Sequence, residues 1–158
     1  MYSKWTVGPE QYCEEVVRFR DRVGGLEWAA IQDWMCEPAI LRNTGLSVKA
    51  HQVLTVDSYV TLSGMLPGFM WVPVIQGWEV GDYWKHVEMY LEWGIDLRDL
   101  PLVGLGSVCR RQGTTEVEYL VKGLSRYGIS LHGFGVKTTG LRRYWKYLKT
   151  ADSLAWTV

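Results

Sequence analysis

Pro101-Leu-Val-Gly-Leu-Gly-Ser-Val-Cys-Arg-Arg111 is a short apolar run that breaks into glycine, serine, cysteine and two arginines. Leu102 to Leu105 has the length of a buried strand, and the residues from Gln112 to Thr115 open a helical pattern. Parallel α/β enzymes build sites this way: the strand fixes a position, and the loop at its carboxyl end carries the chemistry. Gly104 and Gly106 leave room for a flat ligand against the backbone, while Arg110 and Arg111 bring charge. Taken alone, the stretch reads equally well as a βα turn with a solvated arginine pair. The same layout, however, recurs four more times.

Outward from it, Gly8-Pro9-Glu10 starts a helix through Tyr12, Val16, Phe19 and Val23, which Gly24-Gly25 stops. Leu26 to Ile31 reads as a strand, followed by the polar residues Gln32 to Pro38. Ser47 caps a second helix through Leu62, and Pro67-Gly68 turns the chain into a strand from Met70 to Ile75. Glu79 to Trp93 and Thr114 to Arg126 are helices on either side of the quoted strand. A strand from Ile129 to Phe134, a basic helix from Leu141 to Leu148 and a last strand around Asp152 to Trp156 complete the chain. Five strands alternating with five helices predict a parallel sheet with right-handed crossovers. Polar residues after each strand favour a (β/α) TIM-barrel type, and a closed barrel takes eight units and about 250 residues. The expectation is therefore a single α/β domain over 1–158, an incomplete barrel of about five βα units.

At 158 residues and 47% hydrophobic, the chain suffices for one core. It has no membrane-length apolar run and no signal-peptide pattern, so a cytoplasmic protein is expected. Cys13, Cys36 and Cys109 are too widely spaced for a zinc knuckle or a disulfide framework. Net charge is zero but segregated: residues 1–100 hold 8 Lys+Arg against 14 Asp+Glu, and residues 101–158 hold 9 against 3. A basic half can track phosphates even when the whole chain is neutral.

Several strand-end residues have chemistry to offer. Asp33 is placed to accept two N–H bonds from a purine-like edge, or to serve as a loop aspartate. Gln76 has the donor and acceptor needed to read a base edge, although a buried glutamine satisfied by backbone fits as well. His132 reads as a satisfied core histidine. Asp152 opens an apolar strand, where a carboxylate is poorly tolerated unless it has a task such as nucleophilic attack.

Ile31-Gln-Asp-Trp-Met-Cys-Glu-Pro38, Pro73-Val-Ile-Gln-Gly-Trp78, Val103 to Arg111, Leu131-His-Gly-Phe-Gly-Val-Lys-Thr138 and Ala151-Asp-Ser-Leu-Ala-Trp156 occur together and in order. In these the chain resembles the queuine tRNA-ribosyltransferase superfamily, and most of all its shorter phage and bacterial members that place 7-deazaguanines in DNA. The resemblance covers essentially the whole chain. It implies that Asp152 is the nucleophile and that Asp33 and Gln76 read the guanine edge. Cys36 lies near the family's base-site cysteine, and Gly104 and Leu105 match its backbone contacts to the base. Arg110, Arg111, Lys137, Arg142 and Arg143 would hold phosphates. The family's other aspartate, in an Asp-Ser-Gly-Gly-Phe motif, would precede Met1, and its cysteine-histidine zinc site would follow Val158. No metal or cofactor is therefore expected within this chain, with Glu37 the first substitute for the missing acid/base. The implied reaction replaces guanine in DNA by a 7-deazaguanine base. The alternatives are the same exchange on tRNA and a non-catalytic nucleic-acid-binding subunit. Open sheet edges favour a homo-oligomer, and no membrane partner is expected.

Overall fold

The computed structural model describes residues 5–153. Helix α1 (Pro9–Arg22) begins with Pro9 in its first turn, where a missing N–H costs nothing. Strand β1 (Trp28–Ala30) follows, then α2 (Pro38–Thr44) and α3 (Val48–Met65). The sequence reading had no counterpart for α2. It is a seven-residue helix with Pro38 in its first turn and Gly45 in the left-handed conformation at its end. The Ser47 hydroxyl accepts from the Ala50 N–H to cap α3, as expected.

The apolar run Met70 to Ile75 becomes two strands, β2 (Met70–Val72) and β3 (Val74–Ile75). Between them Pro73 has no N–H to give a ladder, and the pairing changes sides there. β2 pairs with β1, and β3 pairs with β4 (Val103–Leu105). Between β3 and β4 lies α4 (Val80–Glu92), opened by a capping box between Glu79 and Asp82. Helix α5 (Thr115–Arg126), β5 (Leu131–Gly133), α6 (Thr138–Tyr144) and β6 (Thr150–Ala151) complete the order. The basic helix thus starts three residues earlier than expected, and its last turn is a 3₁₀ turn over Trp145–Tyr147. The last strand is a correction as well: it ends at Ala151, and Asp152 follows it instead of opening it. The rest of the expected strand, from Leu154, lies outside the described residues.

Among the described residues the result is a mixed α/β fold with six helices and short parallel strands in two sheets, β1-β2 and β3-β4-β5-β6. Alternation along the strands sends Ile75, Val103, Leu105 and Leu131 into a core with Tyr83, Tyr90, Leu120 and Leu124 of α4 and α5. The residues between them face the other way. There Trp28 of β1 meets His132 of β5 edge-to-face, with ring centroids 5.0 Å apart. With strands spaced about 4.8 Å apart, a flat arrangement would hold these strands roughly 14 Å apart. The strands therefore curl, and all their carboxyl ends open on one side. Among the described residues no helix is long and apolar enough to cross a membrane.

Candidate active site

The loop after β1 carries Asp33, and five hydrogen bonds hold it. Gln32 Nε2 donates to the Val7 carbonyl at 2.9 Å, and Trp5 Nε1 donates to the Asp33 carbonyl at 2.9 Å. From α3, Thr55 Oγ1 accepts from the Trp34 N–H at 2.9 Å, and His51 Nδ1 lies 2.7 Å from the Met35 carbonyl. From the loop after β4, Ser107 Oγ accepts from the Cys36 N–H at 2.9 Å. These bonds fix the direction of the Asp33 side chain.

Gln76, at the end of β3, is fully buried. Its N–H donates to His86 Nδ1 at 2.8 Å, and its carbonyl accepts from Gln52 Nε2 at 2.8 Å. Ser107 Oγ donates to Gln76 Oε1 at 2.6 Å, and Gln76 Nε2 donates to Asp33 Oδ2. The Asp33 carboxylate, which only accepts when ionised, turns Nε2 toward itself, and the serine hydroxyl donates to the other end of the amide. Burial pushes the Asp33 carboxyl up to about 6, against the lowering effect of the Gln76 hydrogen bond. Burial also takes His86 down to about 4, so it stays neutral and accepts from Gln76.

The two glycines of the opening stretch have partners instead of space. A Cβ on Gly106 would lie 2.1 Å from Gln76 Nε2, and one on Gly104 would lie 2.3 Å from the Phe134 ring. The flat ligand expected against these backbones is replaced, in this structure, by the amide and by the ring. Leu105 turns its side chain into the helix-side core. Cys36 is fully buried and its Sγ lies between the Trp34 and Val48 carbonyls. Burial pushes that thiol up to about 12, and the backbone N–H donates to Ser107 Oγ.

Asp152 belongs to a second cluster, after β6. Its side chain is 58% exposed, Oδ1 accepts from the Gly135 N–H at 2.6 Å, and Oδ2 lies 3.5 Å from Nε2 of His132. The structure thus joins Asp33, Cys36 and Gln76 in one network through Ser107, and places Asp152 in another built on His132. Ser107 was legible only as part of a small-residue run, and His132 only as a core histidine.

The basic residues divide. Arg110 pairs with Glu37 at 3.3 Å, and the carboxylate of that pair is 7% exposed. Glu37 is therefore already engaged. Arg111 is 14% exposed, lies 4.0 Å above the Trp78 ring and donates to the Trp78 carbonyl at 2.5 Å. Arg143 is bound to Glu118 and Thr115. Lys137 and Arg142 are exposed.

An apolar cavity of about 520 Å³ borders Asp33, between α1 and the loop after β1, with Trp5, Val7, Tyr12, Trp34 and Met35 in its wall. Among the described residues no group of three or more His, Cys, Asp or Glu could hold a metal ion.

Compared with curated proteins and with solved structures, the chain gives no match in either set. A comparison with protein families does, over all of residues 1–158. That match supports a role in deazapurine modification of DNA. The chain belongs to the DpdA family, DeoxyPurine in DNA protein A.

Proposed function

We propose that this chain is a guanine transglycosylase of DNA, exchanging guanine for a 7-deazaguanine through a covalent aspartyl-sugar intermediate. The observation that carries the reading is the Ser107–Gln76–Asp33 relay. With Oε1 held by Ser107, the amide presents Nε2 as a donor beside the two acceptor oxygens of Asp33. Guanine presents the complement along one edge: the O6 acceptor, then the N1–H and N2–H donors. A 7-deazaguanine has the same edge, so one pocket serves the departing and the incoming base. The cavity beside Asp33 offers aromatic walls for a base taken out of the stack.

In the first half-reaction an Asp152 oxygen attacks C1′ of the flipped nucleotide, and the C1′–N9 bond breaks. The electron pair goes to guanine, which takes up a proton at N9. The carboxylate also offsets the positive charge developing on the sugar, as in retaining glycoside hydrolysis. In the second half-reaction the 7-deazaguanine gives up its N9 proton and attacks C1′, and the Asp152 carboxylate leaves. Protons balance across the two halves. The curled parallel sheet, whose successive strands are neighbours, is the wall of a (β/α) barrel in this reading. Lys137 and Arg142 are among the exposed cations, and in this reading they meet phosphates.

The test is covalent trapping of a guanine-containing DNA oligonucleotide. Asp152→Asn should abolish the trapped complex while the protein keeps its melting temperature. Undiminished trapping by that variant rules Asp152 out as the nucleophile.

A further inference from the structure

His132 is almost completely enclosed, its side chain 4% exposed, between the Trp28 ring at 5.0 Å and the Phe134 ring at 4.6 Å. Its Nδ1 lies 2.7 Å from Thr150 Oγ1. Among the described residues its Nε2 is buried with no partner inside hydrogen-bond geometry, and it lies 3.5 Å from Asp152 Oδ2. A buried imidazole nitrogen aimed at an exposed carboxylate 3.5 Å away is satisfied when the carboxylate closes onto it. The ring's protonation is set by its surroundings. A threonine hydroxyl can donate to Nδ1, which leaves the ring proton on Nε2, facing the carboxylate. The reverse tautomer would set a nitrogen lone pair against a carboxylate oxygen.

We infer that His132 is the positioning residue of Asp152: Thr150 holds its neutral ring with the proton on Nε2, which it donates in a hydrogen bond to Oδ2 of the free carboxylate. This rests on the reading of Asp152 as nucleophile. Gly135 N–H keeps Oδ1, which becomes the ester carbonyl oxygen and stays an acceptor, while Oδ2 attacks C1′. When the Oδ2–C1′ bond forms and the C1′–N9 bond breaks, Oδ2 becomes an ester oxygen, a poor acceptor, and the His132 bond is lost. When the incoming base forms its own bond to C1′, the Oδ2–C1′ pair returns to Oδ2 and the bond is regained. His132 keeps its proton throughout. In-line displacement puts the departing N9 on the face of C1′ opposite Asp152, so a group beside Asp152 is not the proton donor to guanine. The bond stabilises the free carboxylate over the ester, and so favours release of the sugar to the incoming base.

The experiment measures the covalent fraction of the full chain at equilibrium with a guanine-containing DNA oligonucleotide and free guanine. His132→Phe keeps a flat ring between Trp28 and Phe134 but no donor, and should raise the covalent fraction about tenfold, the low end for a hydrogen bond to a charged group. His132→Gln, which restores a donor near Nε2, should bring the fraction back toward wild type. A merely structural role would lower trapping in both variants alike. A wild-type fraction in His132→Phe, with Asp152→Asn inactive, overturns this inference alone. Trapping by Asp152→Asn overturns the nucleophile and the inference with it. Ring-nitrogen NMR at neutral pH gives a readout that needs neither turnover nor a folded His132 variant. Protonated Nε2 that responds to Asp152→Ala supports the bond, and an Nδ1–H tautomer overturns it.

Discussion

Ser107 donates its hydroxyl proton to Gln76 Oε1 across 2.6 Å, and it does so from a backbone φ of 56°. That left-handed conformation is uncommon for any residue but glycine and costs on the order of 1 kcal/mol. A glycine at 107 would relieve the backbone and lose the hydroxyl. Serine keeps the strain and gains two buried bonds, to Gln76 Oε1 and from the Cys36 N–H. Ser107→Ala should therefore destabilise by about 1–3 kcal/mol, since it strands two buried groups while keeping the strained φ. Ser107→Gly should melt closer to wild type. Both should bind a 7-deazaguanine about tenfold more weakly, because the Gln76 amide loses the bond that holds its Oε1. Calorimetric binding and thermal melts on the pair decide it: a variant that binds the base normally removes Ser107 from the site.

The glycines beside it make a second contrast. Gly106→Ala pushes a methyl into the Gln76 amide, and Gly104→Ala pushes one into the Phe134 ring. The first should weaken base binding more than it lowers the melting temperature. The second should lower the melting temperature by the equivalent of about 1–3 kcal/mol, the range for overpacking a filled interior. Equal effects of the two substitutions on binding would show that neither space is specific to the amide.

Asp33 and His86 titrate in opposite senses around Gln76. The Asp33 carboxyl rises from 3.8 to about 6 on folding, so its contribution to stability is fully present below pH 3.8 and is lost as pH rises through about 6. His86 falls from 6.5 to about 4, so its contribution is fully present above pH 6.5 and is lost as pH falls through about 4. Between about pH 4 and 6 the two offset one another. Asp33→Asn removes the first, so the variant should melt higher than wild type at pH 7 and lose stability steadily from pH 6.5 to 4. Parallel melting profiles for the two proteins would refute the opposed titration.

The same carboxyl must be ionised to accept N1–H and N2–H from the base. Affinity for a 7-deazaguanine should therefore be level above pH 7 and fall about tenfold per unit well below pH 6. In Asp33→Asn the affinity should be lower and this limb absent. A flat profile in the wild type would mean that the base does not meet Asp33.

What the sequence made legible was the end of each strand, because an apolar run that stops at small or polar residues is a local signal. Asp33, Gln76 and the Ser107 loop were found that way. Helix α2 was not, since seven residues are too few to display a period and Pro38 closes a polar stretch. Pro73 sits inside a continuous apolar run, so nothing local announces that the ladder changes sides there. Asp152 was assigned to the start of a strand because Ser153-Leu-Ala-Trp156 is apolar, while the register ends β6 at Ala151. His132 was read as core, and it is buried; what the sequence lacked was the carboxylate of Asp152, 3.5 Å from its Nε2. Charge was the least legible, because composition counts arginines and the fold decides where they point.

The arginines give the last test. Arg111 lies over the Trp78 ring and bonds its carbonyl, Arg143 is exposed but bound to Glu118 and Thr115, and Lys137 and Arg142 are exposed. A phosphate contact releases counterions, so each one lost should reduce the log–log salt slope of duplex binding by about 0.9. Lys137→Glu and Arg142→Glu should each reduce the slope by about that amount, with free-base binding and melting temperature unchanged. Arg111→Ala should do the opposite. It strips a desolvated cation–π contact and leaves the Trp78 carbonyl without its partner, a loss of roughly 2–3 kcal/mol seen in the melt. At temperatures where the variant is still folded, its salt slope should match the wild type. If Arg111→Ala flattens the slope while Lys137→Glu and Arg142→Glu leave it unchanged, the polymer runs past the Trp78 loop, and the exposed cations belong to a face that DNA does not touch.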